Sequence, residues 1–258
     1  MSAGRRPLRF LVRAVVLASV ASMASLAAVP RPKPVGAQPD PAVWDAILSA
    51  RARGGGFDYK AADGQDRKRL AAYLANLGDA NPRDLAPEER KAFFINAYNA
   101  MAVAVVLEHY PIESIRNVEG AFQTVRKRIG GEMLTLDDVE SRLRDLKDAR
   151  IHFAIVCAAK SSPPLLPRAY RAAMLSAELD AQGRAYVRDS TRNVIDPAEG
   201  TLELSQVFEW SRKELEREAG TVGAFVARFT TPAVADWLRT FAKSPEFLPF
   251  DWALNQPR

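Results

Sequence analysis

One cysteine and two histidines are all that this chain of 258 residues offers as soft ligands and neutral-pH bases. Cys157 and His152 share the segment R-I-H-F-A-I-V-C-A-A-K-S-S-P-P-L at positions 150–165, and His109 stands apart. A cysteine nucleophile with a histidine base would carry thiol-dependent hydrolysis or acyl transfer. Such a pair needs hydrogen-bond contact and a thiol of lowered pKa. Residues 151–157 read as a short buried strand, in which an odd offset of five puts the two side chains on opposite faces, about 16 Å apart along the strand. Phe153, Ile155 and Cys157 then share a core face, with Cys157 a small buried hydrophobe. A bulge, or an early end to the strand at the two alanines after Cys157, would bring the pair together again. His109, closing a long helix, is the other candidate base.

The remaining polar candidates surround that segment. Asn96 and Asn99 are three apart on a helix and share a face, with Tyr98 beside them. Asn99 could donate to an oxyanion, or both asparagines could satisfy backbone groups of neighbouring loops. Arg150 and Glu140 suggest an ion pair across a helix–strand connection. Ser161, Ser162 and Pro163 form a turn, and neither serine has the G-x-S-x-G or S-x-x-K setting of a nucleophile. The expected site is a cleft with Cys157, His152 and Asn99 as its reactive set, lined by Asn96, Tyr98, Arg150, Ser161 and Glu140. Two histidines and a cysteine without paired spacing make no metal pattern, and no cofactor motif is present.

The elements that must position these residues are mostly helical. Hydrophobic spacing predicts a helix over 41–53, ended by Gly54-Gly55-Gly56, and a polar helix over 66–77. Pro87-Glu88-Glu89 suits the first turn of the longest helix, which should run to His109 and stop before Pro111. Its stretch 100–107 is apolar all round, as in a central core helix. Residues 123–129 and 132–136 flank Gly130-Gly131 as a hairpin. Thr135 and Asp138 form a capping box for a helix to about 146. A helix over 169–180, a second hairpin pairing 185–189 with 193–195, a helix from Ser205 to about 219, and amphipathic segments at 222–229 and 233–242 complete the chain. The fold class expected is α+β, a helix-rich single domain around a small antiparallel sheet.

The first 37 residues have a different character. Arg5, Arg6, Arg9 and Arg13 precede an apolar stretch at 14–29, too short to span a bilayer comfortably, and Val35-Gly36-Ala37 has the small–x–small pattern of a signal-peptide cleavage site. Removing the six basic residues of this segment leaves 30 basic against 31 acidic residues over 38–258. The basic balance of the whole chain therefore belongs to the targeting segment and offers no support for nucleic-acid binding. With one cysteine, no intramolecular disulfide can form, and stability must come from packing.

Five segments, in order, resemble one family. Phe93-Phe94-Ile95-Asn96-Ala97-Tyr98-Asn99-Ala100 resembles its F-W-I-N-x-Y-N-A motif, and Tyr110-Pro111-Ile112-Glu113-Ser114-Ile115 its Y-P-x-x-S-I turn. Leu136-Asp137-Asp138-Val139-Glu140 is similar to its L-x-D-I-E helix start. The 150–165 segment is similar to R-x-H-F-A-L-x-C-G-S-x-S-C-P-P-L, and Phe250-Asp251-Trp252-Ala253-Leu254-Asn255 to its terminal Y-D-W-S-L-N. The chain is thereby identified as resembling the domain of unknown function 547 family, most densely over 88–195. The resemblance implies no settled activity. It does expose two departures: Ser162 where many bacterial relatives carry a second cysteine, and Ser141 where histidine is typical.

The reading these residues favour is an exported soluble protein, periplasmic or secreted, acting as a non-catalytic binding or assembly module of the cell envelope. Its partner would be a small molecule or an envelope protein. Neither nucleic acid nor stable membrane insertion after signal cleavage is expected. The alternative is a thiol-dependent hydrolase or acyl transferase built on Cys157.

Overall fold

The computed structural model describes Met1 and residues 39–241 and 243–257; the expected signal segment lies outside these apart from Met1. The first helix, α1 (Ala42–Arg51), buries Trp44, Ile47 and Leu48. A tight turn with Gly54 and Gly55 at positive φ then pairs β1 (Ala52–Arg53) with β2 (Gly56–Phe57). Asp63 opens α2 (Gly64–Asp79), accepting from the amides of Gln65 and Asp66 while Asp66 answers back to the cap. This reciprocal arrangement supplies partners to amides that a helix start otherwise leaves unmatched.

The long helix falls where its sequence places it. Helix α3 (Pro87–His109) starts on proline and two glutamates and is buried continuously from Lys91 to Leu107. By length and composition it could cross a membrane, yet the fold wraps around it, as expected of a core helix. It packs against α2 and against α4 (Leu136–Arg144), which carries the Thr135–Asp138 capping box. The hairpin β3 (Lys127–Ile129) and β4 (Glu132–Leu134) closes through Gly130 and Gly131, both at positive φ. Its basic run Arg126-Lys127-Arg128 is ion-paired residue by residue, to Asp138, Glu108 and Asp79.

The 151–157 segment is not a strand. Asp148 caps a 3-10 turn, Ala149–Phe153, and irregular backbone follows to Ser162. Short apolar runs do not distinguish strand from buried turn by periodicity, and here α3 decides. The Asn99 side chain donates to the Ala154 carbonyl and accepts from the Val156 amide, doing what a neighbouring strand would have done.

The second expected hairpin is also displaced. After a 3-10 turn, Ala172–Met174, helix α5 (Leu175–Val187) runs through Gly183 and absorbs the residues expected to form its first strand. Gly183 reads as a breaker but is a site of close approach. A Cβ there would lie 2.5 Å from the Phe229 ring. The hairpin forms later, from β5 (Val194–Asp196) and β6 (Thr201–Ser205) around Gly200, and β7 (Glu246–Leu248) adds to β6 in parallel. Ser211 divides the helix after Ser205 into α6 (Gln206–Trp210) and α7 (Arg212–Ala219). Two short helices, α8 (Val222–Ala227) and α9 (Pro232–Thr240), complete this part.

The result is α+β, with the strands of the described residues divided among three small sheets. Its apolar residues gather into two clusters. One surrounds α3; the other centres on Phe153, Tyr186, Phe208, Phe225 and Phe229. The turn carrying His152 contributes to both, Ile151 to the first and Phe153 to the second.

Candidate functional site

A cavity of about 470 Å³ opens beside that turn, in the size range of small-molecule sites. Helix α4 supplies its charged wall. Asp137, Glu140 and Arg144 recur at i, i+3 and i+7 and so share one face, whereas exposed Ser141 points off it. Tyr98 enters from α3, and His152, Ile155, Cys157, Ser162 and Pro163 from the segment after the capped turn. The opposite wall is aromatic: Phe122, Trp210, Phe250 and Trp252, with successive ring centroids 4.7–5.8 Å apart.

The backbone that carries Cys157 is held from two sides. Asn99 grips it from α3, and the C-terminal segment pairs along it. There Lys160 donates to the Ala253 carbonyl, Asn255 to the Ala158 carbonyl, and Ala159 bridges Leu254. Ala158 adopts a left-handed φ of 60°, strained for a residue with a Cβ. Ser162 closes the loop, its hydroxyl 3.0 Å from Cys157 Sγ and accepting from the Ala159 amide. Ser162, the position at which the resembled family's motif carries a second cysteine in many members, is thus the direct neighbour of the thiol. Position 141 is outside the cavity wall.

The irregular backbone removes the strand parity expected to separate Cys157 from His152. Both line one cavity, but no hydrogen bond joins them. Burial pushes the Cys157 thiol up to about 11; the bond from Ser162 opposes this and the Glu140 charge adds to it. Burial pushes His152 down to about 3, with the Arg144 charge acting in the same direction. Glu140 is raised by burial, against a 2.7 Å ion pair with Arg144. The resting site therefore holds a neutral thiol and a neutral imidazole, the reverse of an activated thiolate pair.

Two buried polar atoms on its wall have no hydrogen-bond partner among the described residues. Glu140 Oε1 lies 3.8 Å from Nδ1 of His152, an electrostatic setting that keeps the proton on Nδ1. Nε2 is then a buried acceptor with nothing bonded to it. Arg144 Nε, a donor on the same wall, is likewise buried without a hydrogen bond, with Glu214 Oε1 3.7 Å away.

Several expected site residues are engaged elsewhere. Asn96 bonds both amide and carbonyl of Tyr170, as Asn99 does for Ala154 and Val156, so neither asparagine is free to meet a ligand. Arg150 does not pair with Glu140. It forms a two-pronged bridge to Asp148 and a bond to Asp180, outside the cavity, while Lys91 shares Asp148. Ser161 binds the C-terminal segment, accepting from the Asp251 amide, and also falls outside the wall. His109 is exposed, with Nδ1 on the Val105 carbonyl, and lies away from the cavity. Among the described residues no three His, Cys, Asp or Glu side chains converge as a metal site. Asp137, Arg144, Trp210 and Phe250 escaped sequence reasoning. The spacing of Asp137, Glu140 and Arg144 was the available signal for the first two.

Residues 82–187 match the family model described as Protein of unknown function, DUF547. The match runs from before α3 to the end of α5. It contains Tyr98, Glu140, His152, Cys157 and Ser162, and stops short of Trp210, Phe250 and Trp252. Comparison with curated proteins and with solved structures gave no match.

Proposed function

We propose that this chain is an exported, non-catalytic binding protein of the cell envelope whose small-molecule ligand occupies the aromatic-walled cavity. The observation that carries this reading is the pair of buried polar atoms without a hydrogen bond, His152 Nε2 and Arg144 Nε, on the wall of one cavity. Buried polar groups in folded proteins are almost always bonded, so exceptions gathered at a cavity mark the place where a ligand completes the set. The neutral thiol and imidazole argue in the same direction, since neither is poised for covalent chemistry. Export rests on the basic and apolar pattern of the first 37 residues.

The experiment is a fragment screen monitored by tryptophan fluorescence, with protection of Cys157 from a thiol reagent as the site marker. Binders that shield Cys157 are the expected result. A screen in which no binder shields it would overturn the binding reading.

Thiol-dependent acyl transfer is the second reading. Its supporting observation is that Cys157, His152 and Glu140 line one wall, with Glu140 behind the imidazole. It requires fast alkylation of Cys157 at neutral pH, whereas a thiol of pKa about 11 should react about a hundredfold more slowly than one at the ordinary 9.0.

A further inference from the structure

Resting on the ligand-binding reading, we infer that the cavity recognises a neutral carbohydrate. The buried atoms without a hydrogen bond supply the first argument. With its proton on Nδ1, His152 offers an acceptor at Nε2, and Arg144 Nε offers a donor on the same wall. Both side chains meet the same Glu140 oxygen, so the two atoms belong to one part of the wall. A ligand that completes this set must both donate and accept. A hydroxyl does both from one atom, and its proton rotates to suit each partner.

Charge supplies the second argument. On the wall or directly against it stand three carboxylates, Asp137, Glu140 and Glu214, and two guanidiniums, Arg144 and Arg116. Arg144 is bound to Glu140 and lies 3.7 Å from Glu214. Arg116 sits 5.2 Å from the Trp252 ring centre and has no ion pair among the described residues, while Asp137 accepts from the neutral Gln123 amide. An organic cation would face the Arg116 charge and the Arg144 donor, and an anion would face the carboxylate majority. A neutral polyhydroxyl ligand meets neither penalty, since its hydroxyls can donate to Asp137 and accept from the guanidiniums.

The aromatic wall supplies the third. Phe122, Trp210, Phe250 and Trp252 stand opposite the charged face of α4, and Trp210 leaves 46% of its surface exposed. Such rings carry a negative face, which attracts the partly positive C–H bonds of a sugar ring. A pyranose is divided as this cavity is divided, with an apolar C–H face and an edge of hydroxyls. A simple amide would match one donor and one acceptor and leave Asp137 and Arg116 unmet. A hydrocarbon ring would match the aromatic wall alone.

The test titrates the full chain calorimetrically with glucose, galactose and mannose, each compared with its uronate and its 2-amino sugar, which match it in shape and differ in charge. At least one neutral sugar is expected to bind, to shield Cys157 from a thiol reagent, and to bind more tightly than both charged counterparts. Trp210→Ala and Asp137→Ala, at exposed positions with little bearing on folding, are expected to weaken that sugar about tenfold and about fivefold. Absence of binding by all three neutral sugars, tighter binding of a uronate or amino sugar, or unaltered affinity in either variant would overturn the carbohydrate assignment. The wider binding reading stands in each of these cases if the fragment screen finds a binder that shields Cys157, and falls if it finds none.

Discussion

Asn99 is the residue whose replacement most directly tests how the site is built. Its amide donates to the Ala154 carbonyl at 2.9 Å and accepts from the Val156 amide at 2.8 Å, both within a buried segment. Asn99→Ala leaves both backbone groups unpaired with no route to water. Each unsatisfied buried group costs about 1–3 kcal/mol, so a loss of about 3–5 kcal/mol is expected. That is a large share of the roughly 5–15 kcal/mol typical of a domain, so the variant should fold with a urea midpoint lowered by about 1 M or more. Asn99→Asp should not rescue it, because the second carboxylate oxygen would face the Ala154 carbonyl. The assay is equilibrium urea unfolding, with Cys157 reactivity recorded alongside. Loosening of residues 154–157 should make the thiol react faster in the variant under native conditions. A stability loss below about 1 kcal/mol, together with abolished ligand binding, would refute the reasoning and return Asn99 to direct ligand contact.

Three further outcomes follow from other parts of the molecule. His152 has a folded-state pKa depressed from 6.5 to about 3, so the unfolded chain takes up this proton first. Its contribution is complete above 6.5 and is lost as pH falls toward 3. Stability should drop by roughly 2–3 kcal/mol between pH 6 and 4, and most of the drop should disappear in His152→Gln. Most of the contribution of Asp148, lowered to about 2 by Arg150 and Lys91 against its burial, is lost only below this window. Gly56→Ala would drive a Cβ to 1.8 Å from the Asn255 carbonyl oxygen, displacing the C-terminal segment that holds the Cys157 loop. A destabilisation of about 3 kcal/mol in thermal or urea unfolding is expected, and unchanged stability would contradict the packing. Mass spectrometry of the protein recovered from the producing cells should find a new N-terminus close to position 38; an intact Met1 would contradict export with cleavage.

Much of the framework was legible in advance because its signals are local. Proline and two glutamates began α3 and the apolar run carried it to His109, while Thr135 and Asp138 marked α4. Gly130-Gly131 placed the first hairpin. The failures share a cause. Residues 151–157 find their backbone partners far away in the chain, and residues 185–187 follow a glycine whose packing partner is equally distant. Asn99 and the C-terminal segment satisfy the first. Gly183, packed beneath Phe229, lets α5 run on through the second.

The same division holds for the site. Residue types alone limited the chemistry to one thiol and two imidazoles, carried the family resemblance, and marked the 150–165 segment as the centre of the expected site. Whether Cys157 and His152 could meet, and in which protonation states, depended on contacts that no local pattern encodes. The fold decided that both face one cavity, that burial keeps both neutral, and that Ser162 rather than a histidine touches the thiol. It also brought Trp210, Phe250 and Trp252 across from distant parts of the chain to form the opposite wall. Local sequence sets which groups exist and which turns they sit on; desolvation and long-range packing set what those groups can do.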